Sequence, residues 1–333
     1  MTAFFVQSDI LPVAIYTDIN HPDFTGGVVT VGSFDGVHRG HQALLKQVTA
    51  IAERYHCRSM VVTFATHPRM LLDKNTPERW LLNTTDEKNM LLAQAGIDDI
   101  LILPFDREMS QMTANEFVRK IIIGKLHAKY WVVGEDHSFG KNRDGNAENI
   151  ATLTDITQIQ LFKEDLIKCE CGMLTNKDTA FAEKISSSAI RKLLSDGQPE
   201  AANRMLGYEY PLSGKVIAGN RTGRTIGFPT ANIEPPPNKI LPRDGVYCVR
   251  TDLDGEQFYG MTYVGKRTVV QPPDDTPQVE THIFDFKRNI YGKILRLSFM
   301  HRIRDDIRFK NLEQLQTQLQ RDEQQIRNLV CRV

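Results

Sequence analysis

The chain has 333 residues, enough for two domains, and its 41 lysines and arginines balance 41 aspartates and glutamates. A formal charge of zero argues against a nucleic-acid binder working by bulk electrostatics, and no apolar run approaches the ~20 residues of a membrane span. Cys57, Cys169, Cys171, Cys248 and Cys331 lack zinc-ligand spacing, so reduced thiols and a cytoplasmic location are expected.

The start, MTAFFVQSDILPVAIYTDI, has no basic n-region and is broken at Pro12, unlike a signal peptide. From Val28, VVTVG predicts a buried strand. HQALLKQVTAIAERY predicts a helix, with Leu44, Leu45, Val48 and Ile51 at helical spacing. RSMVVTF predicts a second strand. TTDEKNMLLAQAG predicts a helix opened by a capping box, Thr84 with Glu87, and stopped at Gly96. DDILILPF is a third strand. TANEFVRKIIIG repeats the scheme, with Thr113 and Glu116 as the box and Gly124 as the stop. YWVVG, NAENIATLTDI and ITQIQLF read as strand, helix and strand. Such alternation predicts a mainly parallel sheet with helices on both faces. Ligands bind such sheets where strand C-termini meet helix N-termini.

SSSAIRKLLSDG predicts a short helix with a serine N-cap and a stop at Gly197. After Gly207 the character changes. PLSGKVIAG, GVYCVRTDL, QFYGMTYVG, QVETHIFDF and KILRLSFM are short β runs between Gly, Pro and Asp turns, which predicts an antiparallel barrel or sandwich. PPPNK at 235–239 and QPPDDTPQ at 271–278 read as loops, the second as a candidate lid. The end is a helix with Leu312, Leu315 and Leu319 on one stripe. The pattern divides the chain into 1–186, a linking helix region 187–206, and 207–333.

Within GSFDGVHRGHQ, Gly32 and Gly36 let backbone approach a bulky anion, and the following helix start offers free N–H groups. His38 and His41 are three apart and share a face in a helical turn. ISSSAIRKL places hydroxyls and Arg191 at another helix start. Each histidine alone reads as structural and each serine as a cap; together, in a strand–turn–helix context, they suit nucleotide phosphates. GMTYVGKR, from Gly260, nearly matches a P-loop, but Arg267 replaces the Ser/Thr, its interior is strand-like and no helix follows.

GSFDGVHRGHQALL resembles the HxGH signature of the nucleotidylyltransferase superfamily, and ISSSAIR resembles its second, ATP-gripping signature. With TFATHPR and VVGEDHSFG between them, the phrasing is similar to the adenylyltransferase module of the bifunctional bacterial riboflavin kinase/FAD synthetase family. The resemblance runs over the whole chain. It implies a Rossmann-like first domain that transfers AMP from ATP to FMN, giving FAD and pyrophosphate. Gly32, Phe34, Asp35, Gly36, His38, His41, Ser187, Ser188 and Arg191 would bind ATP, with His38 and His41 as catalytic donors. Phe64, His67, Pro68 and Asp136 would bind FMN. The family usually has Glu-Pro before His67-Pro68, where this chain has Ala65-Thr66, and Phe where this chain has His137.

The order GRTIGFPTANI, LPRDGVY, VETHIFDFKRNIYG and IRDDIRF is that of riboflavin kinases. By composition, GNRTGRTIGFPTANI is either a turn-rich hairpin or a phosphate loop followed by oxygen ligands. The resemblance implies a six-stranded Greek-key barrel. In it Gly219, Gly223, Arg224, Thr225, Gly227 and Pro229 bind ATP, Thr230 and Asn232 hold Mg²⁺, and Glu280 is the base for the ribityl hydroxyl. The usual Arg-Pro-Thr is here Arg267-Thr268-Val269. The expected partners are flavins and ATP, with no nucleic acid or membrane. A nucleotidylyltransferase acting on pantetheine phosphate or a nicotinate nucleotide has no need of the β half. A non-catalytic flavin-binding regulator is the other alternative.

Overall fold

The computed structural model describes residues 13–20, 24, 26–135, 139–141, 144, 145, 149, 159–164, 168, 169, 183–219, 222–267 and 274–331. Strands β1 (Ala14–Tyr16), β2 (Gly27–Val31), β3 (Arg58–Phe64), β4 (Asp99–Leu103), β5 (Tyr130–Gly134) and β6 (Gln160–Glu164) form one sheet. Its order is β1-β4-β3-β2-β5-β6, and every neighbouring pair is parallel. The edge strand β1 was not predicted, because three residues carry no readable period. Between the strands lie α1 (Arg39–Arg54), α2 (Pro68–Leu72), α3 (Thr85–Gln94), α4 (Arg107–Gln111) and α5 (Ala114–Phe117).

Both faces of this sheet are covered, which is why its strands read as unbroken apolar runs. Val28, Val61, Ile100 and Val132 pack with Leu45 and Val48 of α1 and Leu92 of α3. The alternate residues Val29, Met60, Leu101 and Trp131 pack with Phe117, Val118 and Ile122. From β2 the chain winds one way through β3 and β4, then returns to β5 on the other side of β2. The strand order reverses there, so a crevice opens beyond the C-terminal ends of β2 and β5. Residues 32–38 leave β2 at that point.

Both predicted capping boxes are present, at Thr84/Glu87 and Thr113/Glu116, and Gly96 follows α3 at φ +82°. Gly124 ends the helix as expected, but not as a left-handed cap on an α-helical turn. After Phe117 the helix widens into a π-helical turn, Val118–Ile123, and Gly124 keeps right-handed φ and ψ. Glycine is needed because a Cβ would lie 2.8 Å from the Lys120 carbonyl and 2.9 Å from that of Arg119. Apart from Asn149, the helix expected from NAENIATLTDI lies outside the described residues, as do Asp136, His137 and Cys171.

A short antiparallel pair, β7 (Lys168–Cys169) with β8 (Glu183–Lys184), precedes α6 (Ser187–Ser195) and α7 (Pro199–Leu206). Then come β9 (Tyr210–Ile217), α8 (Thr222–Thr225), β10 (Ala231–Glu234), β11 (Gly245–Leu253), β12 (Glu256–Arg267), β13 (Asp274–Ile283) and β14 (Ile294–Arg304). These strands close a barrel in the order β10-β13-β12-β11-β14-β9, with every pair antiparallel. GMTYVGKR lies wholly inside β12, so the P-loop resemblance is accidental.

Two expectations are corrected. Residues 274–278 are the start of β13, with Pro277 opposite Lys266, so this part of QPPDDTPQ is strand rather than lid. In the terminal helix α9 (Leu312–Val330), Leu312 is exposed. The docked face carries Leu315, Leu319 and Ile326, together with a buried Asp322 that accepts from Arg304 Nε at 2.8 Å. Periodicity assigns an aspartate to solvent; here β14 supplies its partner. One apolar core runs from Val28 and Leu45 through Ile190, Leu194 and Leu206 to Tyr210 and Leu297, so the two halves share buried surface.

Candidate active sites

The GSFDG loop is strained. Phe34, Gly36 and Val37 all have positive φ, at +48°, +89° and +33°. For a non-glycine residue, and above all for β-branched Val37, such a backbone costs ~1–3 kcal/mol and persists only when its surroundings over-determine it. They do so here. The buried Asp35 carboxylate accepts from Leu82 N at 2.9 Å and Asn83 N at 3.2 Å, and pairs with Arg191. Ser187 Oγ donates to Asp35 O at 2.8 Å, and Tyr208 Oη donates to Gly36 O at 2.5 Å. Phe34 is buried and meets His41 edge-on at 5.2 Å.

His38 is the N-cap of α1, and its Nδ1 accepts from His41 N at 3.3 Å. In a neutral imidazole that acceptor role leaves the proton on Nε2. The structural and chemical readings of HRGH are therefore compatible: capping fixes the tautomer of a donor. The His38 and His41 rings stack at 3.7 Å, 13° from parallel. His41 Nδ1 is buried with no partner, and burial, helped by the neighbouring His38, holds the His41 ring well below its ordinary pKa.

Arg191 is 6% exposed. Besides Asp35, it donates from Nε to Trp80 O at 2.8 Å, and its guanidinium covers the Trp80 ring at 3.9 Å. Ser186 caps α6 by accepting from Ala189 N at 3.2 Å, while Ser188 is exposed. The second signature is thus fastened to the first through Ser187 and Arg191.

On the other side of the crevice, Phe64 ends β3 and stands edge-on to Phe105 at 5.3 Å. His67 caps α2, with Pro68 as the first helical residue. Ala65 and Thr66 are exposed. Sequence reasoning missed Lys88. Its buried Nζ donates to Thr63 Oγ1 at 3.0 Å, Phe64 O at 3.1 Å and Ser33 O at 3.4 Å, strapping the two loops together. Burial pushes its pKa down to about 8. Its spacing from Leu91 and Leu92, on the buried face of α3, was the available signal.

Burial also pushes His67 down to about 4 from an ordinary 6.5. The folded state therefore keeps His67 neutral where the unfolded chain binds a proton, so stability is lost as pH falls from about 6.5 towards 4. Thermal melts across this range should show a falling Tm, and His67→Gln should flatten the slope. An unchanged slope in that variant removes His67 as a contributor.

In the barrel, β10 places Asn232 directly opposite Glu280 of β13. Thr230 Oγ1 donates to Glu280 Oε2 at 3.3 Å, and Gln278, which sequence reasoning missed, donates to Oε1 of the same carboxylate. A Cβ on Gly219 would collide with the Asn232 amide, and one on Gly223 with the Phe228 carbonyl. His282 Nδ1 lies 2.8 Å from Pro229 O. Thr230, Asn232 and Glu280 thus form one oxygen-rich cluster beside Gly219 and residues 222–229. Arg224, Thr225 and Gly227 are exposed there.

Two family models match the chain: FAD synthetase over residues 20–174 and riboflavin kinase over residues 206–330. A bifunctional riboflavin kinase/FMN adenylyltransferase of Listeria monocytogenes is 34% identical, over 94% of this chain and 93% of its own. Enzymes of the same name from Haemophilus influenzae and Escherichia coli are each 34% identical, over 89% and 90% of this chain and 92% and 91% of theirs. The crystal structure of a macrolide-efflux protein from Streptococcus pneumoniae is 31% identical with a TM-score of 0.82, over 95% of this chain and 99% of that one. Efflux is what that protein's name states. Among the described residues here, no helix is long and apolar enough to cross a membrane.

Proposed function

The chain belongs to the bifunctional riboflavin kinase/FMN adenylyltransferase family, and from that premise we propose how its two halves divide the work. The enzyme phosphorylates riboflavin to FMN with ATP, then transfers AMP from ATP to FMN, releasing pyrophosphate and FAD. We assign adenylyl transfer to residues 1–186 and riboflavin phosphorylation to 207–333, with 187–206 joining them.

The fixed tautomer of His38 carries the first assignment. The FMN phosphate is already an anion and needs no strong base. Its site must align two anions and stabilise charge growing at the α-phosphate. His38 donates from Nε2, and neutral His41 adds a second ring stacked on it. Gly32 admits the phosphates to the start of α1, while Gly36, buried at φ +89° against Leu82 and Leu206, makes the turn that precedes it. Ser187, Ser188 and Arg191 serve the outer phosphates, with Arg191 also holding Asp35. Phe64, His67 and Pro68 form the flavin side.

In the barrel, Glu280 takes the proton of the ribityl hydroxyl, and Gly219, Gly223, Arg224, Thr225, Gly227 and Pro229 bind the ATP. Thr230 and Asn232 offer the hard oxygen donors that suit Mg²⁺, and the close approach of Gly219 fixes the Asn232 side chain. Bound with ATP, Mg²⁺ would neutralise phosphate charge. The test is to incubate the pure protein with riboflavin, ATP and Mg²⁺ and separate the products by chromatography. FMN should appear before FAD, and chelating the metal should stop the kinase. A folded protein that binds flavin and turns over neither substrate is the regulator instead.

A further inference from the structure

The barrel half reaches towards the adenylyl-transfer site through the buried Lys239 side chain. Residues 235–240, after β10, lie against residues 79–82 of the first half. Trp80 N and Leu81 N donate to Asn238 O at 2.9 and 2.8 Å, and Ile240 N donates to Leu81 O at 2.9 Å. Arg79 Nη1 donates to Pro236 O at 2.8 Å. At the centre is Lys239, 1% exposed. Its Nζ donates to Leu82 O at 2.7 Å and Glu87 Oε2 at 2.5 Å, and stands 4.7 Å from the centre of the Tyr210 ring. An ammonium group so deep needs full partnering.

Leu82 is gripped from both sides. Its carbonyl accepts from Lys239, and its N–H donates to Asp35. Asp35 sits in the strained loop that delivers His38, three residues on. Without the Lys239 bond, the peptide that fixes Asp35 loses its own anchor. We propose that Lys239, a residue of the kinase barrel, is a positioning residue for adenylyl transfer in the other half: by fixing Leu82 it sets the GSFDG loop and the His38–His41 pair. This rests on the assignment of adenylyl transfer to the His38–His41 site.

The test uses the full chain and three variants. Lys239→Met keeps the length but leaves Glu87 without its cation, so it should lower both the Tm and FAD formation from FMN. Glu87→Gln with Lys239→Met removes the unpaired charge while keeping an acceptor for Thr84 N, which Glu87 now caps at 2.9 Å. The double variant should regain much of the Tm. FAD formation should stay down ~10–100-fold, mainly in kcat, because Leu82 O still lacks its donor and small misplacements at a reacting centre have effects of this size. Riboflavin phosphorylation should stay within about twofold in every variant, and Glu87→Gln alone should retain most FAD synthesis. Recovery of FAD synthesis along with Tm in the double variant overturns the proposal, since Lys239 would then only hold the halves together. Equal loss of both activities in a folded double variant also overturns it. A wild-type chain that makes no FAD from FMN defeats the underlying assignment before any variant is compared.

Discussion

Glu280→Gln is expected to lower FMN formation by ~10²–10⁴ while leaving FAD formation from added FMN intact. A glutamate on a β-strand most often only meets water, and its amide then changes stability by less than ~0.5 kcal/mol. Glu280 is differently placed. It is half-buried, accepts from Thr230 Oγ1 and Gln278, and lies opposite Asn232. Glutamine preserves the size and some of these bonds but cannot take a proton. Riboflavin should therefore yield almost nothing, and supplying FMN should restore FAD. Ordinary phosphorylation of riboflavin by the variant would remove Glu280 from the mechanism. Loss of both activities would point to misfolding.

His41→Ala should lower FAD formation from FMN by ~10²–10³, the usual consequence of removing one preorganised group near developing charge, and leave riboflavin phosphorylation unchanged. The ring is stacked on His38 and edge-on to Phe34, so its loss also frees the His38 ring to move. The backbone N–H of residue 41 still donates to His38 Nδ1 in the variant, so the cap of α1 survives. A rate loss with little change in Tm is the expected pattern. FAD synthesis near the wild-type level would return HRGH to helix capping alone.

Some of the chemistry was legible and some was not. HRGH and ISSSAIR were visible as candidate phosphate sites because their glycines, histidines and serines occur together at strand–helix junctions, although each residue alone has a structural use. Thr230, Asn232 and Glu280 were legible through the resemblance more than through composition. Their clustering depends on β10 pairing with β13, and nothing local in GFPTANI announces that pairing. Lys88 went unread because hydropathy sends a lysine to solvent even where its spacing, four residues before Leu92, puts it on the buried face; the carbonyls of Ser33 and Phe64 converge on it only in the packed fold.

The sequence by itself determined the alternation of strands and helices, both capping boxes, the change to β structure after Gly207, and the place of the HRGH and ISSSAIR motifs. Each of these is written in a period or a local hydrogen bond spanning a few residues. The tertiary structure alone decided which buried charges meet. Arg191 pairs with Asp35 across 156 positions and Lys239 with Glu87 across 152. It also decided that Asp322 faces Arg304 rather than water. A buried ion is tolerated only where its partner arrives, and that arrival depends on how distant segments pack. Hydropathy therefore marks these residues as surface, and only the packed fold shows which of them meet.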